Sequence, residues 1–580
     1  MFLPYIQLRL DRLRHQLAHL DALPQLTLLG FLCGLAAALV IIAFRSIIEL
    51  PLEHFLGGNS EGFESLPSYA RFLLPVTGAI IIALLMRSLS KRQRHVSVGH
   101  VIERLHNHQG RLPLLNIGVQ FLAGAIALLS GQSVGREGPA VHLGAGTASQ
   151  LGQWLKLPNN SLRTLIGCGV AAAISASFNT PMAGVIFAME VILMEYSIAG
   201  FVPVILASVT GAAVAQATFG HTPAFNVAPL QMSSLSELPL IIFCGLIISM
   251  FAACFIRLQL SFQQFKYLNG TYRLLLVGLL TGLVSIFLPQ VMGVGYDTIE
   301  ATMQGGIGLA LLLTIAFAKL FLSTLSVGLG MPGGVIGPIM FIGACLGGAL
   351  GLIADTLFPG TGANTSFYAL LGMGAMMAAV LNAPLAALIT VLELSYNPNI
   401  IFPSMVMIVT SVVVTRQVFG CDGVFIEQLK SSGFTLHSGP INRALERIGV
   451  RSVMDTNFAT CNRSLSRARL EQLLRSHPQW LVLEEEDKGK LLLLAADAAA
   501  ALNSPDADES TDINLVEIPA RRWQLKAINQ QASLLDAQQL IKEQQVDAFF
   551  VERHSLSQKR LALSPVAGIL MPEHIQEAYQ

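Results

Sequence analysis

Arg136 and Glu137 stand side by side in a glycine-flanked stretch, SGQSVGREGPAVHLGAG (residues 130–146), which is closed by Pro139 and lies within a long apolar tract. A charged side chain in a membrane-like segment costs about 3 kcal/mol or more, so it usually marks a function or lies against a cavity. These two residues are the first candidates for chemistry.

A second glycine-rich stretch, GMPGGVIGP (330–338), is similar. Both are typical of helix N-termini, where up to four backbone N–H groups are unpaired and the helix dipole is positive. Such ends bind anions without a cationic side chain, and glycine lets the backbone approach the ligand. If the two ends converge, they form a dehydrated cage of amides suited to a small anion. Glu137 is then a tethered anion that can occupy the cage when ionised.

Other interpretations of these motifs stay open. The glycines of GGVIGP also suit a close-packing surface between membrane helices. GQSVG (131–135) matches the G-x-S-x-G pattern of serine hydrolases, with His142 nearby, but it lacks the strand-turn-helix setting. The four histidines between 95 and 108 show no metal-ligand spacing, so we interpret them as solvated loop residues.

Composition indicates what surrounds the two stretches. The 580 residues are 53% hydrophobic and 12% charged, about half the charge of a soluble protein. The 51 glycines and 26 prolines suggest membrane helices that are broken or closely packed. Of the 72 charged residues, 35 lie within 441–580, so a soluble domain follows an apolar body that ends near 430. The zero net charge offers no argument for nucleic acid as a partner.

Apolar segments recur from about residue 27 to 419. Several are shorter than the roughly 20 residues needed to cross a bilayer, and interrupted helices survive there only where the freed backbone is buried or lines a cavity. Residues 1–23 predict a basic amphipathic helix on the membrane surface. This segment and RSLSKRQR (87–94) are basic, which predicts a cytoplasmic location for both.

The chain contains an internal repeat. CGVAAAISASFNTPMAGVIFAMEVIL (168–193) resembles GMGAMMAAVLNAPLAALITVLELSYN (372–397), and Asn179, Pro181 and Glu190 each find a matching residue 203 positions further on. Each copy follows one of the glycine-rich breaks. Paired halves with corresponding broken helices are the best pointer in a sequence to a transporter-type site at the repeat interface.

Together these segments resemble the CLC family of chloride channels and chloride/proton exchangers, over about residues 24–430. GREGP is similar to the family's most specific signature, GGVIGP to its second anion-binding segment, and FNTPMAG and LNAPLAA to its paired Asn-x-Pro helices. The resemblance implies an all-α polytopic membrane protein of two inverted repeats with broken helices, about 24–220 and 221–430. It also implies a homodimer with one anion pathway per subunit.

The resemblance also implies functional residues, position by position. Glu137 matches the external gating glutamate. The family's first motif, G-S-G-I-P, is eroded to VSVGHVIE (96–103), but its serine is retained 40 residues before Glu137, which favours chloride over nitrate. Main-chain amides would contribute at 136–138 and at 335–336. The implied anion-binding residues are Ser97, Arg136, Glu137, Gly138, Val335, Ile336 and Phe425.

Three positions depart from the family pattern. Phe425 stands where the family has a tyrosine, so a hydroxyl donor to the central anion is missing, and Ile336 replaces a phenylalanine. The internal proton-transfer glutamate of the exchangers should follow Glu190 directly, and that residue is Val191. A valine cannot relay a proton, and channels of this family typically carry valine there.

Residues 440–580 contain two similar αβ units, about 450–502 and 515–579, with the order strand, helix, strand pair, helix that is typical of CBS domains. They predict an α/β cytosolic CBS pair. The nucleotide-binding element is degraded, because Leu494 replaces a hydroxyl residue before Asp497, and Met571 and His574 depart from the pattern in the second unit. We therefore expect a structural or dimer-stabilising module without a bound nucleotide.

Val191 favours a passive chloride-selective channel, gated by Glu137, over the alternative of a chloride/proton antiporter with a non-standard internal proton route. An anion- or nucleotide-responsive sensor and a membrane hydrolase are more distant alternatives. We expect no enzymatic activity, no cofactor or metal, and no nucleic-acid partner. The expected setting is a homodimer in the bilayer of the cell inner membrane, with both termini cytoplasmic and chloride or similar small anions as the permeant ions.

Overall fold

The structure, a computed structural model, describes residues 17, 23–58, 60–220, 225, 231–232, 234–265, 267–357, 364–434, 440–484, 489–502, 512–552 and 566–578. The chain divides into two compact units. The membrane unit comprises residues 26–153 and 163–436, and the tail unit comprises 437–580 with 1–25 and 154–162. The amphipathic helix predicted over 1–23 lies outside the described residues, apart from Leu17 and Leu23.

The first half of the membrane unit is built from helices, because its segments are apolar over most of their length and leave no polar face for a loop or strand edge. A π-helical turn, Ala188–Leu193, extends the seventh helix. The helices are α1 (Leu23–Phe55), α2 (Ser68–Arg87), α3 (Val98–Asn107), α4 (Leu114–Leu129), α5 (Glu137–Trp154), α6 (Asn159–Phe178), α7 (Pro181–Phe187) and α8 (Ile198–Phe219).

The second half of the unit continues in the same way. Counted over both halves, nine helices in the described part of the chain are long and apolar enough to cross a membrane. The chain is therefore a polytopic membrane protein. The helices of this half are α9 (Leu238–Gln264), α10 (Gly270–Phe287), α11 (Tyr296–Met303), α12 (Leu309–Gly328), α13 (Ile336–Leu357), α14 (Thr365–Leu381), α15 (Pro384–Ser395), α16 (Ile401–Gln417) and α17 (Val424–Ser431).

The internal repeat has a structural counterpart. Asn179 and Asn382 both adopt left-handed backbone conformations, with φ of 58° and 55°, directly before the proline-initiated helices α7 and α15. Close helix crossings also correspond. A Cβ at Gly144 would lie 2.3 Å from a carbonyl oxygen of α6, and one at Gly343 would lie 2.4 Å from a carbonyl oxygen of α14. The repeat predicted from the sequence is therefore present in the fold.

The tail unit contains a six-stranded sheet in the order β1-β3-β4-β6-β7-β8 and a two-stranded sheet of β2 and β5. The strands are β1 (Phe458–Asn462), β2 (Ser464–Leu465), β3 (Trp480–Glu484), β4 (Lys490–Leu494), β5 (Ile513–Asn514), β6 (Arg522–Asn529), β7 (Ala548–Glu552) and β8 (Val566–Leu570). The helices are α18 (Pro440–Arg447), α19 (Val450–Val453), α20 (Arg467–Leu474), α21 (Ala495–Leu502), α22 (Leu534–Gln544) and α23 (Pro572–Glu577).

The two halves of the tail unit repeat one pattern. In the first half, β1 pairs parallel with β3 across α20, and β3 pairs antiparallel with β4 before α21. In the second, β6 pairs parallel with β7 across α22, and β7 pairs antiparallel with β8 before α23. The apolar residues of β3 and β7 are largely buried. Buried strands have such continuous apolar runs, which is why the sequence predicts strands at these two places. The order of elements is the predicted one, and its assignment to CBS domains stays a prediction.

Candidate anion site

The two glycine-rich breaks meet in the membrane unit. The N–H of Gly135 donates to the carbonyl of Gly334 over 2.8 Å, and the N–H of Gly334 donates to the carbonyl of Gly135 over 2.7 Å. A Cβ at Gly138 would lie 2.7 Å from the Cα of Gly334, so the backbones can approach this closely only as glycine. Helices α5 and α13 therefore start at one place, with their unpaired amides and positive dipole ends together.

Glu137 is the first residue of α5 and is 2% exposed. Its Oε1 accepts a hydrogen bond from the Tyr296 hydroxyl over 3.2 Å. A Cβ placed on Gly337, in the first turn of α13, would lie 3.0 Å from the same oxygen. The carboxylate is thus lodged at the meeting point of the two helix starts, where a tethered anion was expected.

The side chain of Arg136 belongs to a different network from that of Glu137. Its Nη1 donates to Oε1 of Glu49 over 2.8 Å, and its guanidinium lies over the rings of Phe178 and Tyr296, 4.8 and 5.3 Å from their centroids. Arg45 also pairs with Glu49, with its Nε 3.0 Å from Oε1. Glu49 is therefore shared by two arginines, and the Arg136 guanidinium is paired with Glu49 rather than with Glu137.

A cavity of about 40 Å³ lies beside this network and is lined by Arg45, Glu49, Glu61 and Arg136, among others. Glu61, in the loop between α1 and α2, accepts the backbone N–H groups of Gly295 and Tyr296 at the start of α11. Burial raises the pKa of Glu61 to about 7. Glu61 thereby fixes the N-terminus of α11. Tyr296 is the first residue of that helix, and its hydroxyl donates to Glu137.

A second small cavity, of about 30 Å³, touches Glu137 itself. Ile336, Phe178 and two threonines, Thr180 and Thr390, also line it. Its walls are otherwise apolar, so a bound anion there would have few ligands besides the helix amides. This cavity adjoins the same helix starts that the sequence predicted as anion ligands.

The predicted anion-binding residues fall into two groups. Arg136, Glu137 and Gly138 lie at the start of α5, and Val335 and Ile336 at the start of α13, so the structure brings these five together. Ser97 and Phe425 lie elsewhere, at the start of α3 and on α17, two helices that pack against each other.

Ser97 has a backbone φ of 117°, a left-handed conformation that is strained for a residue with a side chain. It lines the inner cavity, defined here as the cavity of about 310 Å³ that is also bordered by His100, Gly330 and Gln428. Ser97 and Gly99 both line this cavity, so α3 begins beside it. Phe425 is buried on α17. The roles of Ser97 and Phe425 stay predictions.

Val191 is buried in the π-helical turn, and its neighbour Glu190 has a structural role. Glu190 accepts the N–H groups of Leu385 and Ala386 at the start of α15, with the shorter distance 2.7 Å. In the other repeat, Glu393 accepts the N–H groups of the second and third residues of α7 over 2.8 and 2.7 Å. Each glutamate caps the proline-initiated helix of the other repeat, which neutralises its unpaired amides.

Two interpretations from the sequence lack support in the structure. The Ser133 hydroxyl contacts the hydroxyl of Ser323 at 3.1 Å, and His142 is bonded to His100, so among the described residues the GQSVG motif has no serine–histidine pair. His100 is not a solvated loop residue, because it lies buried within α3. The prediction was wrong there because the loop-like sequence around residue 95 leads directly into a packed helix.

Sequence reasoning missed two further residues near the helix starts. Lys319 is fully buried in α12, and its Nζ donates to the carbonyls of Val291 and Gly293 over 3.0 and 2.7 Å. The sequence did contain a signal for Lys319, because it is a single charged residue within an otherwise apolar helix. Tyr296, which contacts Glu137, had no such signal, because GVGYDTIE matches no pattern of known chemistry.

Comparisons with known proteins agree with this geometry. The profile of the family described as "Voltage gated chloride channel" matches residues 78–416. A ClcB-like protein of Ralstonia nicotianae, named as a chloride channel protein, is 29% identical over 69% of this chain and 95% of its own length. An H(+)/Cl(-) exchange transporter ClcA of Vibrio cholerae is 30% identical over 54% of this chain and 68% of its own length.

The crystal structure of a eukaryotic CLC transporter is similar in fold. It matches with a TM-score of 0.62 and 18% identity, over 96% of this chain and 99% of that chain. At this identity the similarity shows a common fold and no more.

Proposed function

The chain belongs to the voltage-gated chloride channel family, and from that premise we propose that it exchanges chloride for protons across the membrane. Glu137 is the residue that both closes the anion path and accepts the proton. The relative from Vibrio cholerae, which is named as an H(+)/Cl(-) exchange transporter, supports exchange over passive conduction.

The single observation that carries the proposal is the position of the Glu137 carboxylate, between Tyr296 and Gly337 at the joined starts of α5 and α13. An ionised carboxylate competes there with chloride for the same amides. Protonation removes its charge and weakens that competition. One group thus links proton uptake to anion passage, as an exchanger requires.

Selectivity in this proposal comes from backbone amides and dipole ends, which favour small anions over cations. The buried ammonium of Lys319, fixed by two carbonyls, adds positive potential inside the unit. Chloride and similar small anions are therefore the proposed substrates. We expect sodium and potassium to be excluded.

A passive, Glu137-gated channel is the second candidate. Val191 favours it, because an apolar side chain occupies the position where the family's exchangers have their internal proton glutamate. The name of the relative from Ralstonia nicotianae also favours it. Exchange ranks first because relatives from Vibrio cholerae and Yersinia pestis are both named as H(+)/Cl(-) exchange transporters.

The proposal includes the assembly and its setting. We propose a homodimer with one anion path per subunit, in the cell inner membrane, with both termini cytoplasmic. The tail unit is proposed to act as a CBS pair that stabilises the dimer without a nucleotide. Neither an enzymatic reaction nor a cofactor is part of this function.

Purified protein in liposomes tests the proposal. Vesicles loaded with high chloride are diluted into low chloride, with potassium and valinomycin to remove the voltage, and a pH electrode follows the external solution. Exchange predicts that chloride efflux drives protons inward, so the external pH rises until a protonophore cancels the change. Chloride release without any pH change would replace exchange with the channel, and release of potassium with chloride in the absence of valinomycin would end both.

A further inference from the structure

A buried pair of histidines joins α5 to α3. His142, five residues after Glu137 on α5, has no exposed surface, and His100 on α3 is 5% exposed. Nδ1 of His100 lies 3.0 Å from Nε2 of His142. The rings are stacked, with their centroids 5.3 Å apart. The pair is therefore attached to the helix that carries Glu137.

Arg104 determines which nitrogens of the pair carry protons. Its Nε lies 3.2 Å from Nε2 of His100, and a guanidinium can only donate. Nε2 of His100 is therefore an acceptor, so neutral His100 holds its proton on Nδ1 and donates it to Nε2 of His142. Neutral His142 then carries its proton on Nδ1, a buried atom that has no hydrogen-bond partner in the described part of the chain. The hydrogen-bond network thus assigns a directed chain of two imidazoles.

The chain of imidazoles begins at the inner cavity and leads toward the gate. His100 lines that cavity of about 310 Å³ together with Ser97 and Glu103. At the other end, a helix rise of 1.5 Å per residue places His142 roughly 7.5 Å along α5 from Glu137. Five residues also turn the helix so that the two side chains point about 140° apart, and the proposed link between them is therefore a chain of several waters around α5.

The surroundings of the pair disfavour a lasting positive charge on it. Burial penalises a charged imidazole, and cations outnumber acids among the neighbouring groups. The Glu103 carboxylate lies 3.6 Å from Nε2 of His108. A proton can therefore pass through the pair without being stored there. The titratable and charged groups that face the pair or line its cavity are Arg94, His95, Glu103, Arg104, His108 and Arg273, with Glu137 further along α5.

We propose that His100 and His142 carry protons between the inner cavity and Glu137, in place of the internal glutamate whose position Val191 holds. The proposal rests on the exchange function proposed above. The pair suits this role because each imidazole can accept a proton on one nitrogen while it releases one from the other.

One transfer moves a single proton and no electrons. Arg104 withdraws, a proton from water in the inner cavity binds Nε2 of His100, and the proton on Nδ1 of His100 passes to Nε2 of His142. The proton on Nδ1 of His142 leaves through water to the Glu137 carboxylate, which becomes a neutral acid. The starting tautomers return when each ring gives the proton on Nε2 to water and takes one from water on Nδ1, which leaves the number of protons on the pair unchanged.

The test measures proton and chloride flux together, on full-length protein in liposomes. His142→Gln and His100→Gln each keep one hydrogen-bond donor and one acceptor but cannot relay a proton. His54→Gln is the matched control, since His54 is an exposed histidine in the last turn of α1, away from the pair and its cavity. We expect both variants of the pair to lower the number of protons moved per chloride by roughly tenfold or more, with measurable chloride flux, and the control to keep the wild-type ratio.

The possible outcomes separate the two proposals. Wild-type protein that moves no protons overturns exchange itself, and this inference with it. Coupled transport that persists in both variants overturns the inference alone. Loss of both ion fluxes in both variants would assign the pair a purely structural role and would also overturn it.

Discussion

The starts of α5 and α13 have the same backbone design and different side chains. Gly135 and Gly334 pair with each other, and each is followed two residues later by the first residue of a helix and then by Gly-Pro. That first residue is Glu137 in one repeat and Ile336 in the other. The backbone of both repeats provides the amides for an anion, and only one repeat adds a titratable side chain. Both repeats therefore contribute to the affinity for the anion, whereas only the first repeat contributes a group that can open or close its path.

The largest expected effect comes from breaking the close backbone contact between the starts of α5 and α13. A Cβ at Gly334 would lie 2.4 Å from the backbone nitrogen of Gly138, a contact that only a backbone shift can relieve. Gly334→Ala should abolish nearly all chloride flux from folded protein. Gly118→Ala is the control, because no atom lies within 4 Å of its added Cβ. A Gly334→Ala protein with normal flux would show that the joined starts do not form the site.

Glu137→Gln removes the one titratable difference between the two starts. The amide keeps the shape of the side chain without its charge, so it should behave like the permanently protonated acid. We expect chloride flux that is nearly independent of pH between pH 4 and 8 and no coupled proton movement, whereas wild-type flux should rise as the pH falls. Ile336→Val, at the equivalent residue, should retain the wild-type pH response. A pH response that survives in Glu137→Gln would assign the titration to another group.

Substitutions of Glu190 and Glu393 test whether the two repeats contribute equally to stability. Each caps the helix of the other repeat, so Glu190→Gln and Glu393→Gln should each lower the free energy of unfolding by about 1–2 kcal/mol. Thermal unfolding in detergent measures this loss, and the two values should agree. If Glu190→Gln also changes the proton-to-chloride ratio while Glu393→Gln does not, Glu190 has a transport role beyond its cap.

Tyr296→Phe should remove the hydrogen bond to the ionised Glu137 carboxylate without changing the charge of that carboxylate. A hydrogen bond to a charged group is worth about 1.5–3 kcal/mol, and this one is long at 3.2 Å, so its loss should raise chloride flux at neutral pH by about tenfold. Tyr368→Phe is a matched control, since that buried hydroxyl lies 3.4 Å from Glu237 instead. Equal fluxes in wild type and Tyr296→Phe would mean that the hydroxyl does not hold the gate.

The prediction for Glu61 concerns stability and its dependence on pH. Its raised pKa of about 7, against an ordinary value of 4.5, means that the folded protein binds this proton more tightly than the unfolded chain. The stabilisation is therefore complete below the unfolded value and is lost as the pH rises toward 7. The unfolding temperature of wild type, relative to Glu61→Gln, should fall over that range. Glu53→Gln, an exposed change near the end of α1, should leave the wild-type slope in place.

The sequence predicted what short motifs determine and missed what only tertiary packing brings together. Glu137 and the helix starts could be placed because five consecutive residues define that backbone. The equivalence of Glu190 and Glu393 was readable from the repeat, but their caps were not, since each partner lies about 200 residues away. His100 was misjudged for the same reason, because its partner His142 lies 42 residues further on.

The tail unit was more predictable in its order of elements than in its identity. Alternating apolar runs and short helices specify strands and helices locally, and the observed order follows them. The pairing of β4 with β6, which joins the two halves into one sheet, depends on contacts across a long connection and has no local signal.

The exchanged caps have a consequence for how the protein is made. When α7 has entered the membrane, the amides of Met182 and Ala183 have no acceptor until Glu393 has been synthesised, more than 200 residues later. The first half therefore leaves the ribosome with an unfinished helix end, and the second half completes it. The two halves therefore depend on each other for these two helix ends during biogenesis.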